Sequence, residues 1–317
     1  MNGKPSLQIA GALLLVVLGG CAGPRSAMWV DLVLGETTGL EPMLVDLASA
    51  DVVYLGETHR LPRHHRLQRK IFEALDSPGR PVILGLEQVE ARNQGALDAY
   101  NRGEIDFDAL AESIEWGQQW SRYEDYRALV ESARDRGVRV VGLNAPREVI
   151  RAVGRNGVAS LSSSERGLLP RRIYLDDPVY ERLMVHLLSV HAAMDPEFLR
   201  HVFEAQAARD EAMAASLVAA LEQATRPGSG APLAVVVTGS GHVQFGLGTP
   251  ERVRRRRPGI EDRIVLMSEA GDLELTEAEL AMSREIETGH GDLKFIERPL
   301  ADYLHAVGPF SPVFGKR

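Results

Sequence analysis

Short apolar runs recur along the chain, and stretches with helical periodicity separate most of them. The runs are residues 52–55, 81–86, 138–143, 233–237 and 263–267. Runs of this length, rich in β-branched residues and bounded by glycines or turns, predict buried strands. Between the first two runs, Leu67, Ile71 and Leu75 share one face of a helix predicted over residues 64–75. This alternation predicts an α/β fold with a mostly parallel sheet flanked by helices.

The alternation stops over residues 155–225, where no apolar strand pattern occurs. Two helices are predicted there, over residues 179–194 and 196–224, and the second is rich in alanine. We expect this part to form a helical insertion or subdomain of the α/β domain. Residues 271–317 are polar and rich in turn-forming residues, which predicts a C-terminal extension that packs only in part.

Polar side chains follow three of the predicted strands at the point where each strand ends. Glu57 and His59 follow the first strand, Glu87 follows the second, and His242 follows the fourth behind glycines. Because loops leaving adjacent parallel strands open a crevice at their carboxyl ends, ligands bind at that edge. We therefore expect the four side chains to line one hollow. In the alternative interpretation they are structural, and Glu57 and Glu87 form a buried pair that serves Arg147 and other basic residues.

The same four residues suit a divalent metal ion. Imidazole and carboxylate ligands together bind zinc, manganese or iron. A catalytic metal ion would lower the pKa of bound water towards about 7, with a spare carboxylate as the base. Glu57, His59, Glu87 and His242 are therefore the candidate metal ligands and catalytic residues of a metal-dependent hydrolase. Their spacing is less specific than a His-Glu-x-x-His helix motif.

The charge balance bears on the class of partner. A formal net charge of -8 and a pI of about 5.7 argue against a nucleic-acid-binding protein, because such proteins neutralise phosphates with basic residues. One basic run, Arg252 with residues 254–257, departs from this balance. Such a run is typical of a solvated helix face, and in the alternative it binds anionic groups.

The N-terminus has the pattern of a secretory signal peptide over residues 1–20. Lys4 precedes an apolar segment at residues 9–18, and Leu-Gly-Gly-Cys ends at Cys21, the single cysteine of the chain. One cysteine excludes an internal disulfide and a cysteine-based zinc site. The tetrapeptide resembles a bacterial lipobox, which implies that Cys21 is lipidated, with palmitate among its acyl chains. Each buried methylene would add roughly 0.8 kcal/mol to membrane attachment.

The residue after the cysteine indicates the membrane in which the lipoprotein is anchored. Ala22 stands where an aspartate would retain a lipoprotein in the inner membrane. Similarity to other lipoproteins therefore implies a lipid anchor in the bacterial outer membrane, with the domain facing the periplasm. We expect residues 21–40 to hold the lipidated cysteine and a tether.

Five short motifs occur in one order along the chain. They are Gly56-Glu-Thr-His59, His64-His-Arg-Leu-Gln68, Leu86-Glu87, Leu143-Asn-Ala-Pro-Arg-Glu148, and Gly239-Ser-Gly-His242 ahead of Gly246-Leu-Gly-Thr-Pro250. Together they resemble the ChaN-like lipoproteins, a haem-binding, iron-regulated group in the superfamily that also holds Tiki, TraB and the erythromycin esterases. The resemblance covers residues 49–257, inside a domain placed at residues 41–270. It is specific because the motifs are collinear.

The resemblance implies haem binding, a role in haem and iron uptake, and homodimers that stack two haems between subunits. It also implies a haem-uptake receptor or transporter as a partner. Haem would be held non-covalently, since the chain has no Cys-x-x-Cys-His motif. In this family a tyrosine holds the haem, and many relatives carry tyrosines where this chain has Phe245 and Leu247. Tyr174 and Tyr180 therefore remain as the candidate ligands.

A haem site also needs an apolar slot and cations for two propionates. The predicted cofactor-binding residues are Tyr174, Tyr180, Trp116, Trp120 and Arg147, with the arginines at 254–257 as further propionate partners. The sequence thus favours an outer-membrane haem-binding lipoprotein. A metal-dependent hydrolase is the alternative, and a binding module whose polar cluster only joins the strand ends ranks third.

Overall fold

One sheet of eight strands organises the computed structural model of the chain, which describes residues 26–189, 195–225, 228–268 and 293–308. The strands are β1 (Ser26–Asp31), β2 (Glu36–Thr38), β3 (Val52–Glu57), β4 (Val82–Glu90), β5 (Arg139–Asn144), β6 (Leu233–Gly239), β7 (Asp262–Met267) and β8 (Tyr303–Gly308). Their order across the sheet is β2-β1-β8-β7-β3-β6-β4-β5. The six strands from β8 to β5 run parallel, while β1 is antiparallel to both β8 and β2.

Helices cover both faces of the sheet. They are α1 (Leu40–Leu47), α2 (Pro62–Leu75), α3 (Gln94–Asn101), α4 (Phe107–Ser113), α5 (Trp116–Gln119), α6 (Arg127–Asp135), α7 (Arg147–Asn156), α8 (Ser163–Arg166), α9 (Pro178–Ser189), α10 (Pro196–Ala224) and α11 (Thr249–Arg256). Short 3-10 turns lie at Ala91–Asn93, Tyr123–Tyr126, Val158–Ser160, Ser240–His242 and Gln244–Gly246. The longest helix, α10, begins at a proline behind Asp195, whose side chain accepts a hydrogen bond from the backbone N–H of Glu197 at 2.9 Å.

The central strands are buried on both faces, as expected for a parallel sheet. Side chains alternate along β3, so Val53 and Leu55 join the core beneath α2 and α6, whereas Val52 and Tyr54 join the core beneath α10. Met213, Leu217 and Leu221 of α10 belong to this second core. Complete burial of one such side chain contributes roughly 1.5–3 kcal/mol.

The α/β fold with a mostly parallel sheet flanked by helices is confirmed. All five predicted strands form, as β3 to β7, and the helix predicted over residues 196–224 has those bounds. The helical part packs on the sheet, since α10 lies against β5, α7 and α11. Residues 190–194 of the other predicted helix lie outside the described residues.

Two terminal segments contain strands that the sequence did not predict. Residues 26–38, predicted to belong to a tether, form β1 and β2, and residues 303–308 of the predicted extension form β8 between β1 and β7. Trp29 and His305 pack across the β1–β8 pair with ring centroids 4.6 Å apart. Local pattern did not reveal these strands, because each depends on a partner far away along the chain.

The membrane-related predictions fall mostly outside this description. The signal peptide at residues 1–20 and Cys21 lie outside the described residues. Within the described ranges, no helix combines the length and the apolar character needed to cross a bilayer.

Candidate functional site

The carboxyl ends of β3, β6 and β4 lie side by side, because these strands are parallel neighbours in the sheet. Glu57 is the last residue of β3, and Glu87 follows the last residue of β4 that pairs with β6. His59 and His242 occupy the loops that leave β3 and β6. The structure therefore brings the four predicted residues together into one cluster.

Glu57 is the most connected member of this cluster and is 2% exposed. Its Oε1 accepts hydrogen bonds from His59 Nδ1 at 2.7 Å, from the Tyr126 hydroxyl at 2.5 Å and from Gln88 Nε2 at 3.1 Å. Tyr126 comes from the turn before α6 and Gln88 from β4. The carboxylate of Glu57 thus ties three separate elements to the end of β3.

The second oxygen of Glu57 faces α2. Oε2 accepts a hydrogen bond from Gln68 Nε2 at 2.7 Å and lies 3.1 Å from His65 Nδ1. Burial disfavours the charged carboxylate, but the hydrogen bonds and charges of His59 and His65 outweigh it and lower the pKa of Glu57 to about 2. Glu57 is therefore ionised at neutral pH.

Glu87, His242 and Asp210 form a second buried chain of contacts. His242 Nε2 lies 3.3 Å from Glu87 Oε1, and His242 Nδ1 lies 2.7 Å from Asp210 Oδ1. Glu87 Oε2 also accepts hydrogen bonds from Thr238 Oγ1 at 2.7 Å and the Gly239 N–H at 2.6 Å. Burial opposes the imidazolium, yet the two carboxylates raise the pKa of His242 to about 9. At neutral pH His242 is therefore an imidazolium.

His59 lies between the two halves of the cluster, which are the contacts of Glu57 and the chain of Glu87, His242 and Asp210. It is the most accessible of the four predicted residues, with 35% of its side chain exposed. Its Nε2 is 4.0 Å from Glu87 Oε1, and its ring meets Trp120 edge to face at 4.7 Å. Burial lowers its pKa, but the Glu57 hydrogen bond and the charge of Glu87 reverse this, so the net shift is upward. A Cβ at Gly239 would lie 2.9 Å from His59 Nε2, so only glycine permits this approach.

The histidines and carboxylates of this cluster bind one another rather than presenting ligands to a metal ion. Among the described residues, no group of three or more histidine, cysteine or acidic side chains has the geometry to hold a metal ion. The physical reason is that the imidazole nitrogens of His59 and His242 point at carboxylates. The atoms that could bind a metal ion are therefore directed at one another and not at a shared position between them. The prediction of a divalent metal ion at Glu57, His59, Glu87 and His242 is not supported.

The predicted aromatic and basic cofactor-binding residues lie in different parts of the structure. Trp116 is fully buried and packs against Phe107 and Tyr123, so it belongs to the core and not to a ligand surface. Trp120 and Arg147 instead line one cleft of about 90 Å³ beside Glu87, here called the strand-end cleft. Its other walls come from β4, the end of β5, α7 and α10.

The two candidate tyrosines also differ. Tyr180 is 1% exposed, and its hydroxyl donates to Asp210 Oδ2 at 2.8 Å, which leaves it no access to a large ligand. Burial raises the pKa of Tyr180 well above its usual range, which further disfavours a phenolate. Tyr174 is 38% exposed, with the Arg255 guanidinium 4.0 Å from its ring centroid.

The arginine run is largely engaged by carboxylates. Arg254 pairs with Asp262 at 2.7 Å, and Arg256 pairs with Glu211 at 2.5 Å. Arg255 lies 3.4 Å from Asp177. These arginines therefore act first as ties between α11 and its neighbours, and Arg255 is the one that also borders an exposed tyrosine.

Sequence reasoning missed several members of the cluster. They are Gln68, Gln88, Tyr126 and Asp210. Asp210 had a detectable signal, since it is a charged residue inside an alanine-rich helix whose neighbours Ala207 and Ala208 are buried. The others lie on elements whose orientation towards Glu57 depends on tertiary packing.

The sheet and the cluster define the class: an α/β protein that holds a buried histidine–carboxylate network at the carboxyl ends of its parallel strands. The chain belongs to the haem-binding uptake family of the Tiki superfamily, ChaN, whose family model matches residues 43–253. This confirms the ChaN-like resemblance, and haem binding is the property of the family.

Two relatives place the fold in context. The chain is similar to ChaN of Campylobacter jejuni, whose solved structure concerns cofacial haem binding, with a TM-score of 0.66 and 21% identity over 90% of this chain and 98% of that one. At this identity the likeness shows the fold. It is also 27% identical over 238 residues to the chloroplastic protein RETICULATA-RELATED 5 of Arabidopsis thaliana, covering 70% of this chain and 31% of that protein. The chain thus matches less than a third of that relative.

Proposed function

We propose that this protein is a lipid-anchored haem-binding protein of the bacterial outer membrane that takes part in haem and iron acquisition. The family match over residues 43–253 carries the haem part of the proposal. The anchor rests on the signal pattern and lipobox ending at Cys21. In this arrangement the domain faces the periplasm and exchanges haem with a receptor or transporter.

A tyrosine that binds haem iron must be accessible to a large ligand. All seven tyrosines lie in the described residues, and Tyr174 is the one with more than a third of its surface exposed. Its phenolic oxygen can therefore reach the iron of a ligand too large for the buried positions. Arg255 beside its ring would offset the negative charge of a phenolate or a propionate. We assign Tyr174 as the haem ligand.

We further propose a homodimer. Haem bound at Tyr174 would keep one face open to solvent, and a second copy of the chain would cover that face. The cofacial haem binding of the Campylobacter jejuni protein supports this proposal. Phe245 and Leu247 supply no ligand here, because both join an apolar cluster with Phe203.

Haem titration of the full chain in detergent micelles tests the proposal. Ferric haem should give a saturable shift of the Soret band, and Tyr174→Phe should abolish the phenolate-type spectrum. Tyr123→Phe is the matched control, since Tyr123 packs against Phe107 and Trp116 and should leave the spectrum unchanged. An unaltered spectrum in Tyr174→Phe would remove Tyr174 from the proposal. Absence of any saturable shift in the natural chain would contradict haem binding itself.

The anchor has its own test. In cells that process lipoproteins, the natural chain should fractionate with the outer membrane. Cys21→Ser should move to the soluble periplasmic fraction, because no acyl chain can then be attached. Retention of Cys21→Ser in the membrane would contradict lipid anchoring through this residue.

A further inference from the structure

The strand-end cleft lies beside the histidine–carboxylate cluster and is lined by two arginines. Arg147 comes from the start of α7 and Arg209 from the middle of α10. The Arg147 guanidinium donates to the neutral carbonyl of Gln118 at 2.7 Å. Arg209 Nε is buried and has no hydrogen-bond partner within the described part of the chain. Both cations are thus available to an anionic ligand.

The carboxylates that line the same cleft have bonding partners of their own. Glu90 Oε2 lies 2.6 Å from Arg92 Nε, and its Oε1 accepts the backbone N–H of Arg147 at 2.8 Å. Glu87 accepts from Thr238 and Gly239 and faces His242. The charge of Arg209 also favours the ionised form of Glu87, but neither carboxylate accepts a hydrogen bond from the guanidinium of Arg147 or Arg209 among the described residues.

Gln88 provides an independent indication of a ligand. It is 3% exposed and lines the cleft, and its Nε2 is fixed by donation to Glu57 Oε1 at 3.1 Å. Its Oε1 is buried without a hydrogen-bond partner among the described residues. An unsatisfied buried acceptor costs about 1–3 kcal/mol, so a ligand that donates a hydrogen bond there would remove a penalty already present in the fold.

The remaining walls are mixed. Trp120 and Ile150 supply apolar surface beside Gln119, Asn144 and Ala145. An indole face is a favourable surface for a flat ring. The cleft volume of about 90 Å³ is below the roughly 300–1,000 Å³ of drug-sized sites, so the cleft suits a small ligand. Cations, an unpaired acceptor and an aromatic wall together specify the chemistry of the ligand.

We propose that the strand-end cleft binds a small organic acid that carries a flat ring and a hydroxyl group. Its carboxylate is bound by Arg147 and Arg209, its hydroxyl donates to Gln88 Oε1, and its ring packs against Trp120. The site is separate from the proposed haem ligand. Tyr174 N–H donates to Glu211 on α10 at 3.1 Å, and residues two apart on a helix, such as Arg209 and Glu211, point about 200° apart.

Calorimetric titration of the full chain in detergent, with 4-hydroxybenzoate as the probe, tests this site. We expect saturable binding with a Kd of about 1 mM or below. Benzoate, which lacks the hydroxyl, and 4-hydroxybenzyl alcohol, which lacks the carboxylate, should each bind at least tenfold more weakly. Inorganic phosphate at equal concentration should compete poorly, because it lacks the ring.

Two arginine variants assign the binding to the cleft. Arg209→Gln and Arg147→Gln should each weaken 4-hydroxybenzoate binding at least tenfold, and Arg209→Gln should leave the haem spectrum unchanged. Arg102→Gln is the control, because Arg102 is exposed and pairs only with Glu104. If Arg209→Gln does not fold, the partly exposed Arg147 still provides the measurement. Equal affinities in Arg147→Gln, Arg209→Gln and Arg102→Gln, or no saturable binding by the natural chain, would overturn the proposal.

Discussion

His242 Nδ1 donates a hydrogen bond to Asp210 Oδ1 at 2.7 Å, which joins the end of β6 to the middle of α10. Both side chains are at least 95% buried. Since Glu87 lies 3.3 Å from the other nitrogen of the ring, the imidazolium sits between two carboxylates. This contact links the packing of the longest helix to the protonation of the cluster.

The first prediction concerns the pH dependence of stability. The pKa of His242 is about 9 in the folded protein, above the unfolded value of about 6.5. A raised pKa stabilises the fold fully below the unfolded pKa, and this contribution is lost as the pH rises through the folded pKa. Urea denaturation should therefore show the free energy of unfolding falling between pH 6.5 and 9, with roughly 3 kcal/mol from His242.

Two variants isolate the contribution of His242. His242→Gln should lose most of the slope between pH 6.5 and 9. His201→Gln is the control and should keep this slope, because His201 lies near the start of α10, beside Gly157. A natural chain whose stability is flat or rising over this interval would contradict the imidazolium assignment.

The second prediction compares two buried tyrosines. The Tyr126 hydroxyl donates to the Glu57 carboxylate at 2.5 Å, whereas the Tyr100 hydroxyl is buried without a hydrogen-bond partner among the described residues. Tyr126→Phe should lower the free energy of unfolding by about 1.5–3 kcal/mol, the usual contribution of a hydrogen bond to a charged group. Tyr100→Phe should be neutral or stabilising, and equal losses in the two variants would show that the hydrogen bond to Glu57 contributes nothing.

The third prediction removes the charge at the centre of the network. Glu57→Gln replaces an acceptor oxygen with an NH2 group that faces donors such as Gln68 Nε2. The free energy of unfolding at pH 7 should fall by about 3–5 kcal/mol, as for other broken buried pairs. Glu104→Gln, at an exposed carboxylate, should change it by less than about 0.5 kcal/mol.

The pH dependence of the Glu57 effect has the opposite sign to that of His242. The pKa of Glu57 is about 2 in the fold and about 4.5 without the fold, so its stabilisation is present above pH 4.5 and is lost as the pH falls through 2. The difference between the natural chain and Glu57→Gln should therefore narrow on acidification. A constant difference from pH 7 to pH 2 would contradict this assignment.

The sequence predicted the parts of the fold that depend on local pattern. Apolar runs such as residues 233–237 reveal a strand without knowledge of its neighbours, and parallel order then brings Glu57, Glu87 and His242 to one edge. The pairing of β1 with β8 joins residues about 280 positions apart, so neither short strand carries a local signal strong enough to predict it.

The sequence also did not predict which side chains are exposed. Tyr174 and Tyr180 are six residues apart with similar surroundings in the chain, yet one is on the surface and the other is buried against Asp210. Which of them faces solvent depends on how α9 and α10 pack together, and that information lies in tertiary contacts. The same packing places Asp210 in the cluster.

The last prediction tests the closeness of the two halves of the cluster through one glycine. A Cβ at Gly239 would lie 2.9 Å from His59 Nε2 and 3.5 Å from Glu87 Oε2, while a Cβ at Gly241 would meet nothing within 4 Å. Gly239→Ala should push the His59 ring outward and lower the free energy of unfolding by about 1–3 kcal/mol, the usual cost of overpacking. The shift of His59 should appear in the histidine signals of an NMR spectrum.

Gly241→Ala is the control. It should change the free energy of unfolding by less than about 0.5 kcal/mol and leave the histidine signals unchanged. Because the two glycines are two residues apart and neither has a positive φ, they differ chiefly in the contact with His59. Equal behaviour of the two variants would mean that His59 does not lie against the end of β6.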